Sequence, residues 1–268
     1  MQEYTFNLEV NQVIVDGILN GYKSYIHERN EKQRTMLISD AYAWVKGNHI
    51  DDQTARECER VGIEYKKAKA GYTWGYLQFS DSEDKSMFIV KNAKYFNEEN
   101  FPGGKGINGR KQRKKNDENY LKKLSRINHN ITFPKAPDLF TEDTEGVEIL
   151  SIFDDNTLKS LEDTDVSRLQ TEYNKFYIVT YEIDEAFMIS KILVWMPNPN
   201  DEKAYLVDDL TELINNSSVD FDDVDITVLE SDELEYNYDS PAAVDFDIFH
   251  EEELDREQTN NDDDDSRS

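Results

Sequence analysis

The sequence predicts an α+β protein: an antiparallel sheet of about four or more strands with packed helices, followed by a disordered acidic C-terminal tail. Three observations predict it. Apolar residues recur at helical spacing through residues 10–61 and again at 116–128. Two pairs of short runs rich in β-formers, each joined by a polar turn, lie at 72–92 and 175–196. Beyond residue 216 the periodicity fades into acidic sequence.

The first helix is expected over residues 10–29, where Val10, Val13, Ile14, Ile18, Tyr22, Tyr25 and Ile26 share one face. Gly17 and Gly21 within it weaken its helical propensity. A second helix is expected from about Thr35 to Val45, with Leu37, Ile38, Ala41, Tyr42 and Val45 on one stripe and Gly47-Asn48 as its stop. A third, short one is expected at 51–61, its acids placed at the positive end of the helix dipole. Strands at 72–79 and 86–92 flank the polar turn Asp81–Asp84 and read as a hairpin. The glycine loop 101–110 leads into a helix from about Asn116, with Tyr120, Leu121, Leu124 and Ile127 as its apolar side. The best strand pair is 175–183, where Tyr177, Val179, Tyr181 and Ile183 alternate, followed by 187–196 and closed by Pro197 and Pro199. A short helix is expected at 208–214, capped by Asp208 or Asp209. The strands share one sheet, because an isolated hairpin is marginally stable, so residues 1–215 are expected to form a single domain and 216–268 the tail.

Composition bounds the function. The 268 residues include 13 Phe, 15 Tyr and 3 Trp, enough aromatic volume for a core. No apolar run approaches the roughly 18 residues that cross a bilayer, so no membrane association is expected. MQEYTFNLEV has no basic-then-apolar leader, and a lone Cys58 excludes an internal disulfide framework; both point to a cytoplasmic protein.

The formal charge of −27 is unevenly spread. Residues 1–140 carry 23 Lys and Arg against 19 Asp and Glu, whereas 141–268 carry 7 against 38. That excess is far beyond the magnitude of about 2–8 that keeps a small domain soluble. Acids at Glu142, Asp143, Glu145, Glu148, Asp154, Asp155, Glu162, Asp163 and Asp165 are spaced so that they can imitate the phosphates of DNA and enter a basic groove. The opposite charge is concentrated in one segment. Lys105, Arg110, Lys111, Arg113, Lys114, Lys115, Lys122, Lys123 and Arg126 face only Asp117 and Glu118. This run suits phosphate contact, pairing with the chain's own acidic half or tail, or a plain solvated face.

Other signals are poor. Gly104–Gly109 spells G-x-G-x-x-G, but no βαβ unit surrounds it, so it reads as a surface loop and no cofactor is expected. The four histidines are far apart, and no metal site is expected. Asp220–Asp225 resembles a calcium loop superficially but lacks its glycine and its closing Glu. Glu64-Tyr65-Lys66, with Asp51 or Asp52 upstream, fits a metal-dependent nuclease, although matches of this kind arise by chance among 57 acids.

AGYTWGYLQF followed by FIVKNAKYF, and KFYIVTYEIDEAFMISKILVWMPNP followed by YLVDDLTELI, resemble an uncharacterised family of phage- and prophage-encoded proteins of Gram-positive bacteria. The resemblance spans residues 10–215 and brings no catalytic residues. It implies a phage accessory role, such as countering a host defence system.

Together these features predict a non-enzymatic acidic inhibitor or anti-defence protein. Its partner would be a basic host protein, such as a nucleic-acid-processing enzyme or defence complex. Nucleic-acid binding through 105–126 is the second expectation, and a metal-dependent nuclease the third.

Overall fold

The computed structural model describes residues 1–70, 74–104, 120–134 and 167–230. Its helices and strands form a mixed α+β fold around one six-stranded sheet, in the order β1-β2-β3-β4-β5-β6. The strands are β1 (Glu64–Ala70), β2 (Trp74–Asp81), β3 (Ser86–Asn92), β4 (Lys175–Ile183), β5 (Ile189–Pro197) and β6 (Ala204–Asp209). The helices are α1 (Leu8–Thr35), α2 (Lys46–Glu59) and α3 (Tyr120–Ser125).

The sheet consists of two antiparallel meanders, β1–β3 and β4–β6, joined at the middle by a parallel pair. β3 and β4 run parallel through seven rungs, from Ser86↔Lys175 to Asn92↔Tyr181. The sheet is therefore mixed rather than wholly antiparallel. Parallel neighbours need a long crossover, and residues 93–174 supply it. β4 lies at the centre and is buried on both sides. Tyr177, Val179 and Tyr181 enter one core, while Phe176 and Ile178 enter the other. Two strands had no counterpart among the sequence expectations, β1 and β6.

α1 and α2 cover one face. Leucine-class and tyrosine side chains of α1 (Ile14, Ile18, Tyr22, Ile26) meet Phe79, Phe88, Val179 and Val194 in a single core. Gly17 and Gly21 make this packing possible. A Cβ on Gly17 would collide with the Thr54 backbone, and one on Gly21 with Ile50, so the two helices cross backbone to backbone. The glycines that lower propensity are thus the contact itself. The opposite face is closed by Phe96, Phe101, Leu121, Leu124 and Ile127, which pack on Met87, Ile89, Phe176 and Ile178.

Asn128 locks this second layer to the sheet. Its side-chain amide donates to the Phe176 and Pro197 carbonyls at 2.9 Å each, and its oxygen accepts the Phe176 N–H at 2.7 Å. One buried side chain thereby joins the start of β4 to the end of β5.

Several element boundaries depart from the sequence expectations. α1 continues to Thr35, and the expected second helix is a 3₁₀ turn over Asp40–Val45 with no buried residue. Leu37 and Ile38 are exposed, not on an apolar stripe facing a core. Gly47 lies inside α2, and the chain instead leaves that helix through Gly62, whose φ of +80° suits only glycine. Residues 208–214 are the end of β6 and a 3₁₀ turn, Thr211–Asn216, whose first N–H is accepted by Asp209.

Residues 217–230, expected as the start of the tail, fold against α1. Val228 and Leu229 are buried, the Asn30 amide donates to the Asp225 carbonyl at 2.6 Å, and Phe221 packs against Tyr22. The expected tail from 231 onward lies outside the described residues.

Candidate interaction surfaces

Of the nine basic residues expected to contact phosphate or the tail, Lys122, Lys123 and Arg126 are described; the other six, between 105 and 115, lie outside the described residues. Leu121, Leu124 and Ile127 point into the core, which turns Lys122, Lys123 and Arg126 to a partly exposed flank. Tyr120, at the start of α3, stacks at a tilt on Tyr76 of β2 with ring centroids 5.0 Å apart. The Lys91 ammonium on β3 donates to the Tyr120 hydroxyl at 2.9 Å. Tyr120 thus ties the start of α3 to Lys91 and Tyr76 of the sheet, residues that lie far apart in the chain.

All nine acids expected to contact a partner, Glu142 to Asp165, lie outside the described residues. The described part of the acidic half is residues 167–230. Residues 182–230 hold 13 acids against Lys191 and Lys203. Some of this charge is neutralised from α1: Lys23 pairs with Asp223 at 2.6 Å and with Asp220 at 3.6 Å, and Arg34 with Asp225 at 3.7 Å. Hydrogen bonding to Lys23 holds the Asp223 carboxyl below its ordinary range. The calcium-like stretch is therefore an ion-paired strap, and Asp222 is left out of these pairs. A shallow cleft of about 240 Å³ between strap and helix is walled by His27, Arg34, Asp223 and Asp225, where Arg34 pairs with Asp225 and the His27 ring lies 3.8 Å from Asp223.

The residues of the nuclease reading are dispersed. Glu64 and Lys66 sit exposed on β1. Asp52 is bonded to Arg56 at 2.9 Å. Asp51 accepts the Leu77 N–H at 2.9 Å, where β2 has run past its last rung with β3. Burial pushes the Asp51 carboxyl up to about 7. Cys58 is fully buried and its thiol is pushed up to about 12, the environment of a structural thiol. Among the described residues, no group of three or more His, Cys, Asp or Glu is placed to hold a metal ion, and no helix is long and apolar enough to cross a membrane.

One basic feature had no sequence expectation. β1 presents Lys66, Lys67 and Lys69, all exposed. An edge strand open on both faces has no apolar alternation, so EYKKAKA carries none of the usual strand signal. Its neighbour, the β2 run 72–79, was the only clue to it.

These surfaces define the class as an α+β protein with one basic and one acidic sheet edge: β1 carries three lysines and one glutamate, β6 two aspartates and no cation. No protein-family model matches the chain, and neither a curated protein nor a solved structure is similar to it.

Proposed function

We propose that this chain is a non-enzymatic acidic interaction protein. In this reading its C-terminal half engages a basic protein that handles nucleic acid, in the place DNA would take, and the chain serves as a phage-type inhibitor or anti-defence protein. The observation that carries the reading is the separation of charge: 38 acids against 7 bases in residues 141–268, attached to a folded sheet whose β6 end is acidic. A field of one sign speeds encounter with a basic groove and excludes acidic competitors. Asp220, Asp223 and Asp225 are engaged by Lys23 and Arg34, so the reading assigns the contact to Glu142–Asp165.

The test is affinity capture from the host cell at low salt, followed by competition with duplex DNA. A basic protein should be retained, then released by DNA and by salt above roughly 0.5 M. Retention of no basic protein, or of one that DNA does not displace, contradicts the reading.

A second reading, nucleic-acid binding by the chain itself, is favoured by the partly exposed Lys122, Lys123 and Arg126 on the flank of α3 and the 3₁₀ turn that follows it. It predicts affinity for single-stranded nucleic acid that falls when Lys122, Lys123 and Arg126 are neutralised.

A further inference from the structure

β1 is an edge strand of the described sheet, and its make-up is unusual. It is seven residues long and pairs with β2 at every position without a bulge, from Glu64↔Ser80 to Ala70↔Trp74. It contains no proline. No described residue hydrogen-bonds the outward row of its backbone groups. Lys66, Lys67 and Lys69 are exposed, and no described carboxylate pairs with any of them. Elsewhere Lys23, Lys32, Arg34, Arg56, Arg60, Arg168, Lys175, Lys191 and Lys203 are all ion-paired. Lys85 and Lys94 likewise have no described ion pair, but only β1 gathers three such lysines on one strand, in a chain with almost twice as many acids as bases.

We propose that β1 is a docking edge for an extended acidic segment of a partner protein, which adds to the sheet as a seventh strand. The backbone row supplies main-chain hydrogen bonds, the source of affinity in strand addition. The lysines supply the selection. The pairing of Lys67 with Leu77 and Lys66 with Gln78 places neighbouring lysines on opposite faces of the sheet. An incoming strand therefore matches them with acids at three of four consecutive positions, on both of its faces. The same lysines repel the β1 edge of a second copy, so one device admits an acidic strand and refuses self-pairing. Protection against self-pairing alone would need no more than this repulsion. The proposal adds that the edge is used. A single-stranded nucleic acid shares the charge but offers no backbone row to complete the sheet, which is why the peptide is the occupant argued for.

The experiment uses the full chain and a fluorescein-labelled peptide of about ten residues, Glu at three of four central positions among Val and Thr. Three comparison probes accompany it: the Gln-for-Glu peptide, the same peptide N-methylated on alternate amides, and a single-stranded DNA oligonucleotide. The Glu peptide should bind, and slow hydrogen exchange across 64–70. Affinity should fall at least about tenfold for the Gln peptide, for the N-methylated peptide, and for the Lys66→Gln/Lys67→Gln/Lys69→Gln chain. All three lysines are exposed, so that variant keeps its fold, which circular dichroism verifies. No binding overturns the proposal. So does equal binding of the N-methylated peptide or of DNA, since charge alone would then explain it. A β1 already protected from exchange in the free chain would also overturn it, because the edge would be held within the molecule.

Discussion

The two meanders have the same topology and different means of support. β4–β6 lies under α1 and the 217–230 strap, with β4 buried on both faces and its start tied to the end of β5 by Asn128. β1–β3 lies under α2, and its outer hairpin extends beyond the last β2–β3 rung at Phe79↔Phe88. There a side chain, Asp51, accepts the Leu77 N–H where a neighbouring strand would otherwise do so. The difference teaches where support is lost: the adjoining strands β3 and β4 are both buried on two faces, whereas the outer hairpin β1–β2 leans on the helix pair. Gly17 and Gly21 hold that pair at backbone contact.

Separating α1 from α2 should have the largest effect, because it uncouples the two meanders. Gly21→Val forces the helices apart at Ile50 and should cost about 3 kcal/mol or more, through overpacking that cannot relax into open space. Urea unfolding would show it as a lowered midpoint or as loss of the cooperative transition. Next is Asn128→Leu, which strikes the second meander alone. It leaves the Phe176 N–H and the Phe176 and Pro197 carbonyls without their partner, at about 2–3 kcal/mol.

Asp51 tests the first meander through pH. Its carboxyl titrates near 7 in the folded chain, against an ordinary value of 3.8. The folded state therefore holds this proton more tightly than the unfolded state does. Stability from this group is full below its unfolded value and is lost as pH rises through the folded one. Asp51→Asn should then stabilise the chain on the order of 2 kcal/mol at about pH 8 and have little effect at about pH 4. Thermal melts of the two chains across that range should converge on the acid side. The smallest effect belongs to Lys23→Ala, which removes the cation shared by Asp220 and Asp223. Both carboxylates are exposed, so the melting temperature should hardly move, while amide exchange in 217–230 accelerates.

Much of this arrangement is legible in the sequence, for stated reasons. β3 and β4 coincide with the predicted runs 86–92 and 175–183, because strands buried at the sheet centre are dense in β-formers. The two hairpins were legible from their polar turns, and the joint between them was not. Residues 93–174 carry the helical run at 116–128, but that run alone does not reveal which strands the segment connects or that they run parallel. The spacing of Gly17 and Gly21 was visible as a propensity defect, although small residues four apart are also the signature of a close helix crossing. Asn128 and Asp51 act through single polar contacts between distant segments, for which local pattern has no signal. At the surfaces, Lys122 and Lys123 of α3 and Arg126 just after it were readable from the apolar stripe they avoid. The β1 lysines were not, since an exposed edge has no stripe to avoid.

The claim that the acidic half is what the partner meets is tested most directly by neutralising the two charge fields separately. One variant replaces Glu142, Asp143, Glu145 and Glu148 with their amides; the other replaces Lys66, Lys67 and Lys69 with Gln. Each is titrated with the basic partner recovered by capture, across a range of salt. The account predicts that the acidic variant loses at least about tenfold in affinity with a shallower salt dependence, and that the lysine variant binds as the parent chain does. Unchanged binding by the acidic variant, or a loss confined to the lysine variant, would contradict it.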